Sequence, residues 1–106
     1  MWNNTRLTER GFAIRHFTDN NGCECSVQKS SSALEDKIWL GLNDASPKVL
    51  HGEATRLGVK HDAACGWVDY PIPESVSLNT RMHLTQRQAK ELGEMLLRFS
   101  ESGDLD

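Results

Sequence analysis

No stretch of this chain approaches the ~20 consecutive apolar residues that a membrane-spanning helix needs. The opening residues also lack the apolar core of a secretory signal, so the sequence predicts neither a span nor export. Cysteine is scarce and odd in number, with three residues. That argues against a secreted disulfide framework and for a reducing cytoplasm. Charge of one sign is lacking as well: 12 Lys and Arg stand against 15 Asp and Glu, for a net charge of −3. No basic cluster is present to track phosphates, which disfavours general nucleic-acid binding, and the chain is not acidic enough for a wholesale DNA mimic. Gly-x-Ser-x-Gly, a phosphate-cradling glycine loop and His-Glu-x-x-His are all missing, so no recognised catalytic motif is written here. Finally, Leu, Ile, Val and Phe number only 23 of 106 residues, close to the ~20% at which order becomes doubtful. The core is expected to be thin.

What is there reads as one domain over residues 1–106. Trp2, Trp39 and Trp67 partly compensate for the few aliphatics, since each can bury about 150–250 Å². The clearest local signal is at the C-terminus. Thr85 followed by Gln88 has capping-box spacing, and Ala89, Leu92, Leu96 and Phe99, widened by Met95, fall on one helical face. A helix over 86–100 follows, with Gly103 placed to end it. Residues 11–19 read as a strand, 19–22 (Asp-Asn-Asn-Gly) as a tight turn, and 23–28 as the returning strand, with Cys23, Cys25 and Val27 on one face. Residues 37–42 suit a central strand, and 76–84 a last strand on which His83 points away from Met82 and Leu84. Between them, 43–66 reads as a long irregular segment with at most a short helix near 49–56, followed by a brief strand at Trp67-Val68 and an extended Tyr70-Pro71-Ile72-Pro73. The expected class is α+β: an antiparallel sheet of three to five strands with the C-terminal helix packed on one face.

Chemistry-bearing residues are sparse. Cys23, Cys25, His61 and Cys65 match a tetrahedral zinc set in number and ligand type, although Cys-x-Cys is a poor zinc knuckle and buried free thiols are the plainer reading. Cys25/His83 and Cys65/His61 are conceivable thiol–imidazole pairs, but no recognisable oxyanion hole or orienting group accompanies either. Asp69 and Glu74 beside Tyr70 could form an acid pair, though solvated loop residues are the simpler account. The residues therefore assign no catalytic group, no cofactor and no metal.

Several segments together resemble one family of small proteins encoded by tailed phages and prophages. They are Phe17-Thr18-Asp19 with Gly22, Cys25 through Ser31, Ile38-Trp39-Leu40-Gly41, Tyr70-Pro71-Ile72-Pro73, and Arg81-Met82-His83-Leu84-Thr85 through Phe99 and Gly103. They run in order over about residues 11–105. Cys23 falls outside the pattern and Cys25 inside it, which weakens a zinc set that needs both. The resemblance implies a bacterial cytoplasmic setting and a non-enzymatic inhibitor of host machinery. A defence complex such as a CRISPR effector would be the partner, bound by occlusion. A phage accessory factor for replication or recombination is the alternative, and a small thiol- or metal-dependent hydrolase a weaker one. An inhibitor of a nucleic-acid-handling effector would offer segment 43–66 and an acidic face of Glu35, Asp36, Asp69 and Glu74 to the effector's basic groove. A thin core and a short sheet also predict a homodimer, with Trp2 or the hairpin 12–28 near its interface.

Overall fold

The computed structural model describes residues 2–106. Nine elements follow one another: β1 (Arg6–Leu7), β2 (Ala13–Thr18), β3 (Glu24–Lys29), β4 (Lys37–Leu42), β5 (Lys48–Leu50), α1 (His51–Arg56), β6 (Trp67–Asp69), β7 (Arg81–Thr85) and α2 (Gln86–Ser102). Where the sequence reads as one domain, the chain divides into two compact units. One comprises the residues up to Asn43 together with Thr80–Asp106, the other Asp44–Asn79.

The first unit is α+β, as expected. Its five-stranded sheet has the order β1-β2-β3-β4-β7, with every neighbouring pair antiparallel. The β2–β3 turn closes on Asp19, whose carboxylate Oδ1 accepts from the backbone N–H of Asn21 and of Cys23, each at 2.9 Å. This is the Asx geometry that the Asp-Asn-Asn-Gly run favours. Pairing then decides the faces. Cys25 lies opposite Leu42, Val27 opposite Leu40, Ile38 opposite Leu84 and Leu40 opposite Met82, which makes one face mainly apolar, with Arg15 and Lys29 also on it. The other carries His16, Ser26, Gln28, Trp39, Arg81 and His83. At Gly41 (φ 146°) the backbone leaves no room for a side chain: an added Cβ would sit 2.7 Å from the Thr80 carbonyl oxygen. That close approach brings the start of β7 onto β4, where the Thr80 hydroxyl donates to the Leu42 carbonyl at 2.6 Å.

α2 begins and ends on local signals. The Thr85 hydroxyl accepts from Gln88 N–H at 3.1 Å, and the Gln88 side-chain oxygen accepts from Thr85 N–H at 3.0 Å. Gly103 closes the helix in the left-handed region (φ 79°), donating its N–H to Phe99 O at 2.7 Å. The helix meets the sheet through β7, with Ala89 and Leu92 half-buried. Beyond them Met95, Leu96 and Phe99 face solvent, and no residue of α2 is buried. The stripe legible in the sequence is therefore real, but most of it is uncovered.

In the second unit the short helix expected near 49–56 is present as α1 and the brief strand expected at Trp67-Val68 as β6, while β5 adds a strand to the segment 43–66 that reads as irregular. β5 pairs antiparallel with β6, and α1 follows β5 directly. Ala54, on α1, is fully buried at 0% exposure. The α1 end is tied down by Leu57 N–H to Glu53 O and Val59 N–H to Ala54 O, at 2.9 and 2.8 Å. His51 N–H donates to Gly66 O at 2.9 Å, and Lys48 forms an ion pair with Asp69 across the β5–β6 ladder. The last strand of the sheet is shorter than the 76–84 predicted. It starts at Arg81, after the extended and turn residues that follow Pro73.

Candidate functional site

The polar face of the sheet carries the most organised group of side chains. Alternation along β4 puts Trp39 opposite in sense to Ile38 and Leu40, and alternation along β7 does the same for Arg81 and His83 relative to Met82 and Leu84. Trp39 and His83 are direct cross-strand partners, and their rings stack with centroids 3.8 Å apart and planes 9° from parallel. The Arg81 guanidinium lies 5.7 Å from the Trp39 ring centroid and donates to Gln28 Oε1 at 2.7 Å. His83 Nε2 is 2.9 Å from the hydroxyl of buried Ser30. Each of these side chains is thus held by at least one other, and His83 remains exposed. Beside the platform is a hollow of about 440 Å³ lined by Thr8, Glu9, Arg10, Phe12, Gln28, Ser31 and Trp39.

A hydrogen-bonded Ser30–His83 couple has the distance of a nucleophile and its base. The rest of an acyl-transfer site is not built around it. Ser30 Oγ also accepts from Ser32 N–H at 3.3 Å, and among the described residues no acidic side chain bonds His83 to orient it. The arrangement supplies a stacked, cationic, hydrogen-bonded surface.

The residues proposed from sequence scatter. Cys25 is 4% exposed, lies on the apolar sheet face and donates its S–H to Cys23 O at 3.6 Å. Burial, reinforced by Asp19, Cys23 and Glu24, pushes its thiol above the ordinary value. His83 is on the opposite face, so the Cys25/His83 pair does not exist. The expected shared face of Cys23 and Cys25 fails as well. Cys23 belongs to the turn before β3 and is exposed, and Cys65 is also an exposed free thiol. His61 Nε2 contacts the Thr55 hydroxyl at 2.9 Å. Among the described residues no three His, Cys, Asp or Glu side chains gather to hold a metal ion, so the Cys23, Cys25, His61 and Cys65 set is not assembled.

The acidic interface residues are mostly engaged locally. Glu35 pairs with Lys37 at 3.4 Å, Asp36 with Lys29 at 3.3 Å, and Asp69 with Lys48, while Glu74 is exposed. The first two lie in one unit and Asp69 and Glu74 in the other. These exposed pairs contribute little to stability, but they neutralise the field that the acids were expected to present.

Sequence reasoning left out Trp39, Arg81, Gln28 and Ser30. Alternation signalled the sense of each side chain. The platform itself depends on β4 pairing with β7 across the intervening unit, a register that local sequence does not carry. Trp2, expected near an interface, rests on Phe17 with ring centroids 4.3 Å apart and stays 43% exposed, while Arg15 lies 5.5 Å from its ring. No helix among the described residues is long and apolar enough to cross a membrane. No family model, curated protein or solved structure matches this chain.

Proposed function

We propose that this chain is a protein-binding inhibitor that works by occlusion, with the Trp39–His83–Arg81 platform as its contact surface. The observation that carries the reading is that platform. Trp and Arg dominate the energetics of protein interfaces, and here they are already ordered by stacking and hydrogen bonding before any partner arrives. The neighbouring hollow offers room for a side chain of the partner. The resemblance to small phage proteins supports a bacterial cytoplasmic setting and a host defence complex, such as a CRISPR effector, as the partner.

Pull-down from a host lysate tests this. The wild-type chain should recover a defence complex, and Arg81→Glu or His83→Ala should lose it while keeping the wild-type circular dichroism spectrum. Recovery of replication or recombination proteins instead would move the chain to the accessory-factor reading. Undiminished capture by Arg81→Glu would remove the platform from the interface.

A further inference from the structure

Folding sorts the charge that the sequence mixes. The five strands of the large sheet carry Arg6, Arg15, Lys29, Lys37 and Arg81 against one carboxylate, Glu24. These cations divide by type. Among the described residues each lysine of the first unit is ion-paired: Lys29 with Asp36, Lys37 with Glu35 and Lys90 with Glu94. The arginines on and beside the sheet have no such partner. Arg10, Arg15 and Arg81 lie over aromatic rings, those of Phe12, Trp2 and Trp39, at 5.6, 5.5 and 5.7 Å from the ring centroid. A guanidinium resting on a ring is positioned by it while most of its five N–H donors stay free.

Two of these pairs meet at the hollow beside the platform. Arg10 and Phe12 line it from the β1–β2 loop, and Trp39 and Gln28 line it from the sheet, with Arg81 bonded to Gln28 Oε1 at 2.7 Å. The register sets Arg6, Ile14, Gln28, Trp39 and His83 in one row across the strands, so a third guanidinium shares that face. Arg81 spends one donor on a neutral amide oxygen, and among the described residues the Arg10 guanidinium makes no hydrogen bond. The one acid lining the hollow, Glu9, stands against these arginines.

Unpaired guanidinium forks select anions, which they hold by charge-assisted hydrogen bonds. Two kinds of polymer could supply them. A single nucleic-acid strand also needs ring faces for its bases and a run of cations for its phosphates. Here His83 already stacks on Trp39, the guanidiniums lie over Trp39 and Phe12, and the lysines are neutralised. A protein segment bearing Asp or Glu needs only the forks.

We infer that the hollow between Arg10 and Arg81 takes an acidic segment of the partner protein, whose carboxylates are received by the two guanidiniums. The inference rests on the platform being the contact surface, and it reverses the basic groove that the sequence suggests for the partner. Anisotropy of fluorescein-labelled poly-L-glutamate titrated with the intact chain at low salt tests it. Binding should saturate and should weaken as salt rises. Arg10→Gln, at an exposed position, and Arg81→Gln should each raise the dissociation constant about tenfold. Glu9→Gln should lower it by removing the like charge, and Lys90→Gln, on α2, should leave it unchanged. Absence of saturable binding overturns the inference, as does binding that both arginine variants leave intact. Tighter binding of oligothymidylate than of poly-L-glutamate overturns it too, by making the hollow a nucleic-acid site. Poly-L-glutamate binding without capture of a defence complex from lysate removes that complex as the partner and leaves the acidic site standing. Capture of the complex without poly-L-glutamate binding does the reverse.

Discussion

The two helices of this chain invert the usual relation between local signal and burial. α2 has 17 residues, a complete capping box and a glycine terminator, yet buries none of its side chains. α1 has six residues and no side-chain cap, yet buries Ala54 completely. An isolated helix of six residues is far below the ~12–15 at which helices become even marginal in water, so α1 exists because its surroundings hold it. α2 is above that length and carries a local cap at each end, and most of its apolar stripe is left over. The helix with the weaker local signals is the one whose side chain is enclosed.

Substitutions can break this contrast, and the largest expected effect is in α1. Ala54→Leu forces extra methylenes into a site with no exposure and should cost about 1–3 kcal/mol. Hydrogen exchange should show faster exchange concentrated in the second unit. A cost below measurement would mean that Ala54 is not enclosed. Thr85→Ala removes one half of the capping box of α2 and should cost about 1 kcal/mol, read as a lower denaturation midpoint at unchanged slope. If stability does not respond, the helix is held by packing after all, and the contrast between the two helices collapses.

Gly93 sharpens the same point from the other side. It lies inside α2 with nothing within 4 Å of where a Cβ would be. Gly93→Ala should therefore stabilise by about 0.5–1 kcal/mol through helix propensity alone, and thermal melting monitored by helix circular dichroism would record it. Destabilisation would show that something packs closely there.

The smallest effect concerns the sheet and is read by chemistry. Because burial holds the Cys25 thiol protonated to higher pH, the thiolate that reacts with alkylating agents is depleted there. At neutral pH, Cys23 and Cys65, both exposed, should be alkylated well before Cys25, and mass spectrometry of peptides would rank them. The sign carries to stability. A thiol whose pKa is raised on folding favours the folded state below its ordinary pKa, and that contribution is lost as the pH rises above it. Alkylation of all three thiols at one rate would place Cys25 in solvent.

Local chemistry made much of the fold legible. The Asp19–Gly22 turn, the alternation of β3 and β4 and the start and stop of α2 are each written in adjacent residues, because Asx turns, strand alternation and capping boxes are short-range interactions. The candidate platform was legible only in part. Alternation set the sense of His83, but its stack on Trp39 needed β4 and β7 in register across the second unit. That register rests on Gly41 accepting the backbone of Thr80, which no periodicity announces. The same applies to segment 43–66. Its turn residues hid the strand β5, which is held by contacts between residues as distant as Lys48 and Asp69, whereas the short helix near 49–56 was legible and is present as α1.

The sequence by itself determined the α+β class, the capped C-terminal helix and the position of its apolar stripe, because these depend on residues within a few positions of one another. Only the tertiary structure decided that Cys25 and His83 face opposite ways, that Trp39, Arg81 and His83 form one surface, and that the stripe of α2 stays open. Those outcomes depend on which strands pair and how α2 lies against its own sheet, and both are set by the packing of segments far apart in the chain.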